Sequence, residues 1–279
     1  MIQPPPQHWS AAAASCQQYG HAYVLITVLT VHGSAPRPAG SKMLVTSNEQ
    51  VDTIGGGHLE YAAIAQARQL LQANIAVQRI EKYPLGPSLG QCCGGRVSLL
   101  YECFASAAAT VAVFGAGHVG RALVGILAQL PVQVRWLDSR VDEFPDVIPS
   151  NVQGIVAEQP ENEVATLPAA TFVVVMSHQH PLDYAVVKAV LDRGDAAYLG
   201  VIGSLTKARR FRMRLAHQGY CQEHIDFIQC PIGNSSVPGK RPMEVAVSVA
   251  AELIAHYHHC RARLIPPAAP HLAELSNEH

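Results

Sequence analysis

The sequence is short of charge. Lys, Arg, Asp and Glu make up only 15 % of its 279 residues, and 20 basic residues nearly balance 21 acidic ones. The densest basic run is Lys207-Ala208-Arg209-Arg210, too little for the electrostatic footprint of a nucleic-acid binder. Long apolar runs are missing as well. The longest, Ala22 to Val31, is half of the roughly 20 residues that a membrane-spanning helix needs, and it reads as a buried central strand. The first residues carry neither a basic n-region nor an apolar h-region, so no secretory signal is expected. The seven cysteines therefore read as reduced thiols of a cytoplasmic protein rather than as a disulfide framework. They also lack the paired C-x₂-C spacing of a zinc site. What remains is ample for folding. Apolar residues reach 49 %, enough to bury a large core, and the length suits two domains.

The most informative stretch is Val111 to Gly120, VAVFGAGHVG. An apolar run meets Gly115, Gly117 and Gly120 and then opens a helix, the G-x-G-x-x-G pattern of a dinucleotide-binding turn. Gly115 permits the sharp turn, Gly117 lets a phosphate approach the backbone, and Gly120 lets the helix pack closely. His118 stands inside the motif, where many nucleotide binders carry something smaller. Asp138 ends the next strand, about 20 residues on, where an acid would accept from ribose hydroxyls. Further strands are expected at 152–157, 171–176, 197–202 and 225–228. Strands alternating with helices imply a doubly wound parallel sheet. Its carboxyl edge would carry the glycine turn, Asp138, His178 and Ser204.

The first half of the chain has a second strand, glycine turn and helix at Gly55-Gly56-Gly57-His58. This is either a tight connection or a nest of N–H groups for a phosphate, with Arg37 available as a clamp. A helix is expected over Trp9 to Tyr19, capped by Ser10. Cys92 and Cys93 are adjacent between glycines in PLGPSLGQCCGG. They are either two small packing residues or thiolates that carry sulfur or touch a metal or cofactor, Cys93 being the metal candidate. His178, His180 and Asp183 have the spacing of a metal motif, but lack the further histidines of hydrolytic sites. His178 is therefore read as a hydrogen-bond donor, and Asp183 as a cap for a helix over Tyr184 to Leu191. Lys207, Arg209 and Arg210 read as a solvated basic face or as an anion-steering rim.

Several stretches together resemble one family: GSAPRPAGSKMLV with TIGGGHLE, LGQCCGG, VFGAGHVG, and VMSHQHPLDY with YLGVIGSLTKARRF. Along nearly its whole length the chain resembles the xanthine dehydrogenase accessory proteins of the XdhC type. The resemblance implies an N-terminal α/β domain over 1–104, a Rossmann-like domain over 110–262 and a tail over 263–279. It also implies a maturation factor rather than a catalyst, binding molybdenum cofactor (molybdopterin) and supporting its sulfuration with a cysteine desulfurase. The cofactor would pass to xanthine dehydrogenase, of purine catabolism, or to a related molybdenum hydroxylase, and the factor would be a homodimer. The chain departs from the family at Asn234 to Gly239, where a leucine-aspartate-isoleucine-glycine stretch is usual; Glu244 matches. Composition and spacing alone lead instead to an NAD(P)-dependent oxidoreductase built on Gly115, Gly117, Gly120 and Asp138.

Overall fold

A computed structural model describes residues 8–74, 76–85 and 95–264; Cys92, Cys93 and the tail from 265 lie outside them. The chain divides into two compact units, Met1–Ala107 and Ala108–His279.

In the first unit, α1 (Trp9–Tyr19) leads into β1 (Tyr23–His32), then β2 (Lys42–Val45), β3 (Gln50–Asp52), α2 (Gly57–Ala73), β4 (Val77–Pro84) and β5 (Arg96–Phe104). The five strands form one antiparallel sheet in the order β3-β2-β1-β5-β4. β1 lies at the centre because both of its faces are covered. Val24, Ile26 and Val28 point to one core with Leu59, Ala63 and Ala67 of α2. Tyr23 and Leu25 point to the other, with Ala12 and Cys16 of α1. Two-sided burial explains the unbroken apolar run, where a one-sided strand would alternate. The cap of α1 differs from expectation: His8 is its N-cap, and Nδ1 accepts the Ser10 N–H.

The second unit runs β6 (Ala109–Phe114), α3 (His118–Leu127), β7 (Val132–Asp138), β8 (Val152–Val156), β9 (Phe172–Val175), α4 (His180–Arg193), β10 (Tyr198–Val201), α5 (Leu205–His217), α6 (Gln222–Asp226), β11 (Ile228–Gln229) and α7 (Pro242–Leu264). All neighbouring strands are parallel, in the order β11-β10-β9-β6-β7-β8. Numbered within the unit this is 3-2-1-4-5-6 read from β8, the arrangement of a dinucleotide-binding sheet. α3 and α7 cover one face, with Leu123, Leu127, Val249 and Leu253 packed against Trp136 and Phe172. α4 and α5 cover the other, with Val187, Leu191, Phe211 and Leu215 against Phe114 and Leu199. Each fully buried leucine here contributes about 2 kcal/mol of apolar transfer.

Two boundaries differ from the sequence reading. α4 begins at His180, because Pro181 at its second position is compatible with a first helical turn. Ile225 belongs to α6 rather than to a strand, since its buried side chain is the single apolar anchor of that short helix.

Candidate functional site

The order of the parallel sheet reverses between β6 and β9, and ligands of such sheets bind beyond the carboxyl ends of the strands at this point. The turn after β6 is held tightly. Gly115 donates its N–H to the Leu137 carbonyl at 2.8 Å, and its own carbonyl accepts from the Trp136 indole at 3.1 Å. Its φ is +129°, and a Cβ there would lie 2.3 Å from the Met176 carbonyl oxygen. A Cβ at Gly120 would lie 2.0 Å from the Gly115 carbonyl oxygen. Both positions therefore require glycine for packing. Gly117 does not: a Cβ there meets nothing within 4 Å. It is the N-cap of α3 and brings no side chain to cap it. No side chain therefore takes the first-turn N–H groups of α3, and an uncapped helix N-terminus of this kind suits an anion. His118 opens the helix with an exposed side chain.

Asp138 stands at the end of β7, but its carboxylate is fully engaged. Oδ2 accepts from the Ala116 N–H at 2.7 Å and from Arg140 Nη2 at 2.9 Å. Oδ1 accepts from the Arg140 N–H and Nε, both at 3.0 Å. A carboxylate has about four acceptor positions, so none remains for a ribose hydroxyl, and the ribose role expected of Asp138 does not fit this geometry. Burial alone would raise its pKa. The Arg140 guanidinium and the two backbone N–H groups outweigh that and hold the carboxyl below the ordinary range. Asp138 braces the glycine turn from beneath.

Ser177, His178 and Ser204 follow β9 and β10 at the same edge. The exposed His178 ring bonds to the Gln179 amide at 2.9 Å. Ser204 caps α5, its Oγ accepting the Lys207 N–H at 3.3 Å. Asp183 is fully buried and is not a helix cap. Its Oδ1 accepts from the Ser177 N–H at 3.0 Å and from Ser177 Oγ at 2.6 Å, and its Oδ2 accepts from Lys207 Nζ. Lys207 is 7 % exposed and also donates to the Ile202 carbonyl at 2.7 Å. For Lys207, then, the solvated reading is corrected; Arg209 and Arg210 are exposed. With Asp183 committed in this way, the H-x-H-x-x-D spacing does not become a metal site. Among the described residues, no group of three or more His, Cys, Asp or Glu side chains could hold a metal ion.

In the first unit, the carboxyl end of β1 gathers the loop containing Arg37, the glycine turn at 53–57 and the two residues flanking segment 86–94. The register fixes this, since Arg96 pairs with both His32 and Pro84, and Met43 pairs with Asp52. A Cβ at Gly55 would lie 2.5 Å from Pro36 Cγ and 3.5 Å from Arg37 Cγ. Arg37 and His58 are exposed. Yet this nest is filled from within. The Glu60 carboxylate accepts from the Ile54 N–H at 3.1 Å, the Gly56 N–H at 3.0 Å and the Thr53 hydroxyl. The acid in the first turn of α2, one turn beyond the glycines, was the signal for this, since such residues reach back to orphan N–H groups. Glu60 thus takes the Ile54 and Gly56 donors of one glycine turn, whereas no side chain caps the helix that follows the other. Burial raises the thiol pKa of Cys16, Cys103 and Cys230, so these three stay protonated at neutral pH and are packing residues.

No helix among the described residues is long and apolar enough to cross a membrane. YqeB of Escherichia coli K12, described as uncharacterized, is 25 % identical over 246 residues, covering 87 % of this chain. The chain spans only 45 % of that relative's length. A Bacillus halodurans structure described as a xanthine dehydrogenase is 19 % identical with a TM-score of 0.49, over 92 % of this chain and 96 % of that one. A Rossmann-fold NAD(P)-binding family protein from Shigella flexneri is 17 % identical with a TM-score of 0.31, over 40 % of this chain and 62 % of that one. Residues 16–83 match the model of the XdhC and CoxI family, and residues 111–253, just over half of the chain, match the XdhC Rossmann domain. The chain belongs to the XdhC family.

Proposed function

We propose that this protein is a maturation factor for xanthine dehydrogenase or a related molybdenum hydroxylase. It would hold molybdenum cofactor while a cysteine desulfurase supplies sulfur, and then release it to the client enzyme in the cytoplasm. Family membership supports the maturation role. The observation that carries cofactor binding is the uncapped start of α3 beside an unobstructed Gly117. The pterin of the cofactor carries a phosphate, and backbone N–H groups at a helix N-terminus suit that group. On this reading Gly117, His118 and Val119 hold the phosphate through their N–H groups, and His178 borders the crevice. The 53–57 turn has no such part, because Glu60 already occupies it. When bound, the cofactor would supply a molybdenum centre able to take a sulfido ligand. Cys92 and Cys93 are assigned to sulfur or metal contact on sequence grounds alone. A nicotinamide-dependent oxidoreductase fits less well, since Asp138 has no acceptor left for a ribose.

The test is anaerobic purification from cofactor-replete cells, followed by molybdenum analysis and fluorescence of the oxidised pterin. Wild type is expected to carry both. Gly117→Val, whose Cβ would meet nothing within 4 Å in the protein, is expected to fold and lose both. Cys93→Ser is expected to keep the pterin and fail to activate the client. A wild-type protein that neither binds the cofactor nor improves activation of an apo-hydroxylase would overturn the proposal.

A further inference from the structure

α5 carries Lys207, Arg209, Arg210, Arg212 and Arg214 and has no acidic residue between Leu205 and His217. Three of these cations, at i, i+3 and i+7, share one helix face. That face lines a cleft of about 380 Å³ against the start of α4, within the range of roughly 300–1,000 Å³ typical of small-molecule sites. The cleft lies on the sheet face covered by α4 and α5, opposite the face covered by α3. It is therefore distinct from the glycine turn, and the inference below does not rest on the proposed function.

The charges lining the cleft do not cancel. Asp183 answers Lys207, and among the described residues no acid lines the cleft. Two guanidinium groups are left over. Arg210 is exposed and has no ion pair or hydrogen bond among the described residues. Arg214 lies 4.0 Å over the Tyr184 ring, a stacked arrangement that uses the face of the guanidinium and leaves its edge N–H groups for an oxyanion. Lys207 adds a buried donor at the wall. An ammonium has three N–H groups, and Asp183 and Ile202 take two. Ser204 Oγ already accepts from the Lys207 N–H, so its own O–H is free to donate, and Thr206 lines the cleft beside it.

We propose that this cleft binds a small phosphate monoester, with the phosphoryl group held by Arg210, the edge of Arg214, the spare Lys207 N–H and the Ser204 hydroxyl. Two uncompensated cations match the charge of about −1.5 to −2 on such a group at neutral pH. Planar guanidinium forks match its oxygens two at a time. The cleft is larger than a phosphate ion requires, which favours an ester over the free anion.

The experiment is calorimetric titration of the full chain with ribose 5-phosphate, inorganic phosphate and ribose. Ribose 5-phosphate is expected to bind saturably, inorganic phosphate more weakly, and ribose not at all. Arg210 is exposed, so its variants should fold, which an unchanged thermal melt confirms. Arg210→Ala is expected to weaken ribose 5-phosphate by about tenfold to a hundredfold, as the loss of a charged hydrogen-bonding group does. Arg210→Lys should fall between, and Gly117→Val should bind as wild type does. The proposal is overturned if neither phosphorylated probe saturates, or if Arg210→Ala and Arg210→Glu bind unchanged. Loss on Gly117→Val alone, or binding of polyglutamate in preference to both phosphates, would equally sink it, the first by moving the anion to the glycine turn and the second by making the face a docking surface for acidic protein.

Discussion

Asp138 and Arg140 form a two-pronged ion pair directly beneath the glycine turn, with Oδ1 and Oδ2 facing Nε and Nη2 at 3.0 and 2.9 Å. The same carboxylate holds the Ala116 N–H, so the pair and the turn are one mechanical unit. Substituting Asp138→Asn removes the charge and leaves the guanidinium paired only with Glu143, whose Oε1 lies 2.8 Å from Nη1. For a fully buried pair this costs about 3–5 kcal/mol. Arg140 is 35 % exposed, so solvent recovers part of it, and the expected loss is about 2 kcal/mol. The folded carboxyl titrates below its unfolded value. Its stabilisation is thus complete above the ordinary Asp pKa of about 4 and is lost as pH falls through the lower, folded pKa. Denaturant midpoints of wild type and variant should differ at neutral pH and converge in acid. A gap that is independent of pH would show that charge is not the cause.

The three glycines of the turn should separate cleanly by substitution. Gly120→Ala puts a methyl 2.0 Å from a backbone oxygen. A backbone atom cannot move aside as a flexible side chain does, so the cost is expected at or above the upper end of the about 1–3 kcal/mol of ordinary overpacking. Gly115→Ala adds strain at positive φ to the same kind of clash. Gly117→Ala, at φ −67° and in open space, should change stability by less than about 0.5 kcal/mol. Urea unfolding of the three variants checks this ordering.

The glycine spacing and the alternation of strands and helices made the second unit legible from sequence, because both are local signals with a strict period. The partners of the charged residues were not. Asp138 is placed by the strand it ends, but its occupancy depends on Arg140 turning back from two residues further on. Lys207 looks solvated in sequence, since its helix has no acid within reach, and its partner Asp183 lies on another helix twenty-four residues earlier. The Gly55 to Gly57 turn resembled an anion site for the reason that it is one: it needs a negative group, and Glu60 supplies it. The His8 cap was missed because a ring nitrogen substitutes there for the usual serine oxygen.

Glu60 yields a prediction of its own. Glu60→Ala leaves the N–H groups of Ile54 and Gly56 without an acceptor, at about 1–3 kcal/mol for part-buried donors. It also reopens the nest. Added sulfate should therefore raise the melting temperature of Glu60→Ala by more than that of wild type, after matching ionic strength with chloride. Equal responses to sulfate would mean that the glycine turn has no affinity for an external anion even when vacated.

The pair between Asp183 and Lys207 is the most deeply buried charge contact among the described residues, at 0 % and 7 % side-chain exposure, and it fastens α5 to α4 behind the carboxyl edge of β9. Removing either partner leaves an ion in a low-dielectric site. Asp183→Asn and Lys207→Met are each expected to cost about 3–5 kcal/mol. Asp183→Asn should be the worse of the two, because Asp183 also holds the Ser177 N–H and hydroxyl. Removing both charges eliminates the uncompensated ion, so the double variant should be less destabilised than the sum of the singles by at least about 1 kcal/mol. Strict additivity would mean that the two residues act separately, Asp183 as the anchor of the Ser177 turn and Lys207 as the cap of the Ile202 carbonyl. In that case the position of α5, and with it the mouth of the arginine cleft, would be set by apolar packing of Phe211 and Leu215 alone.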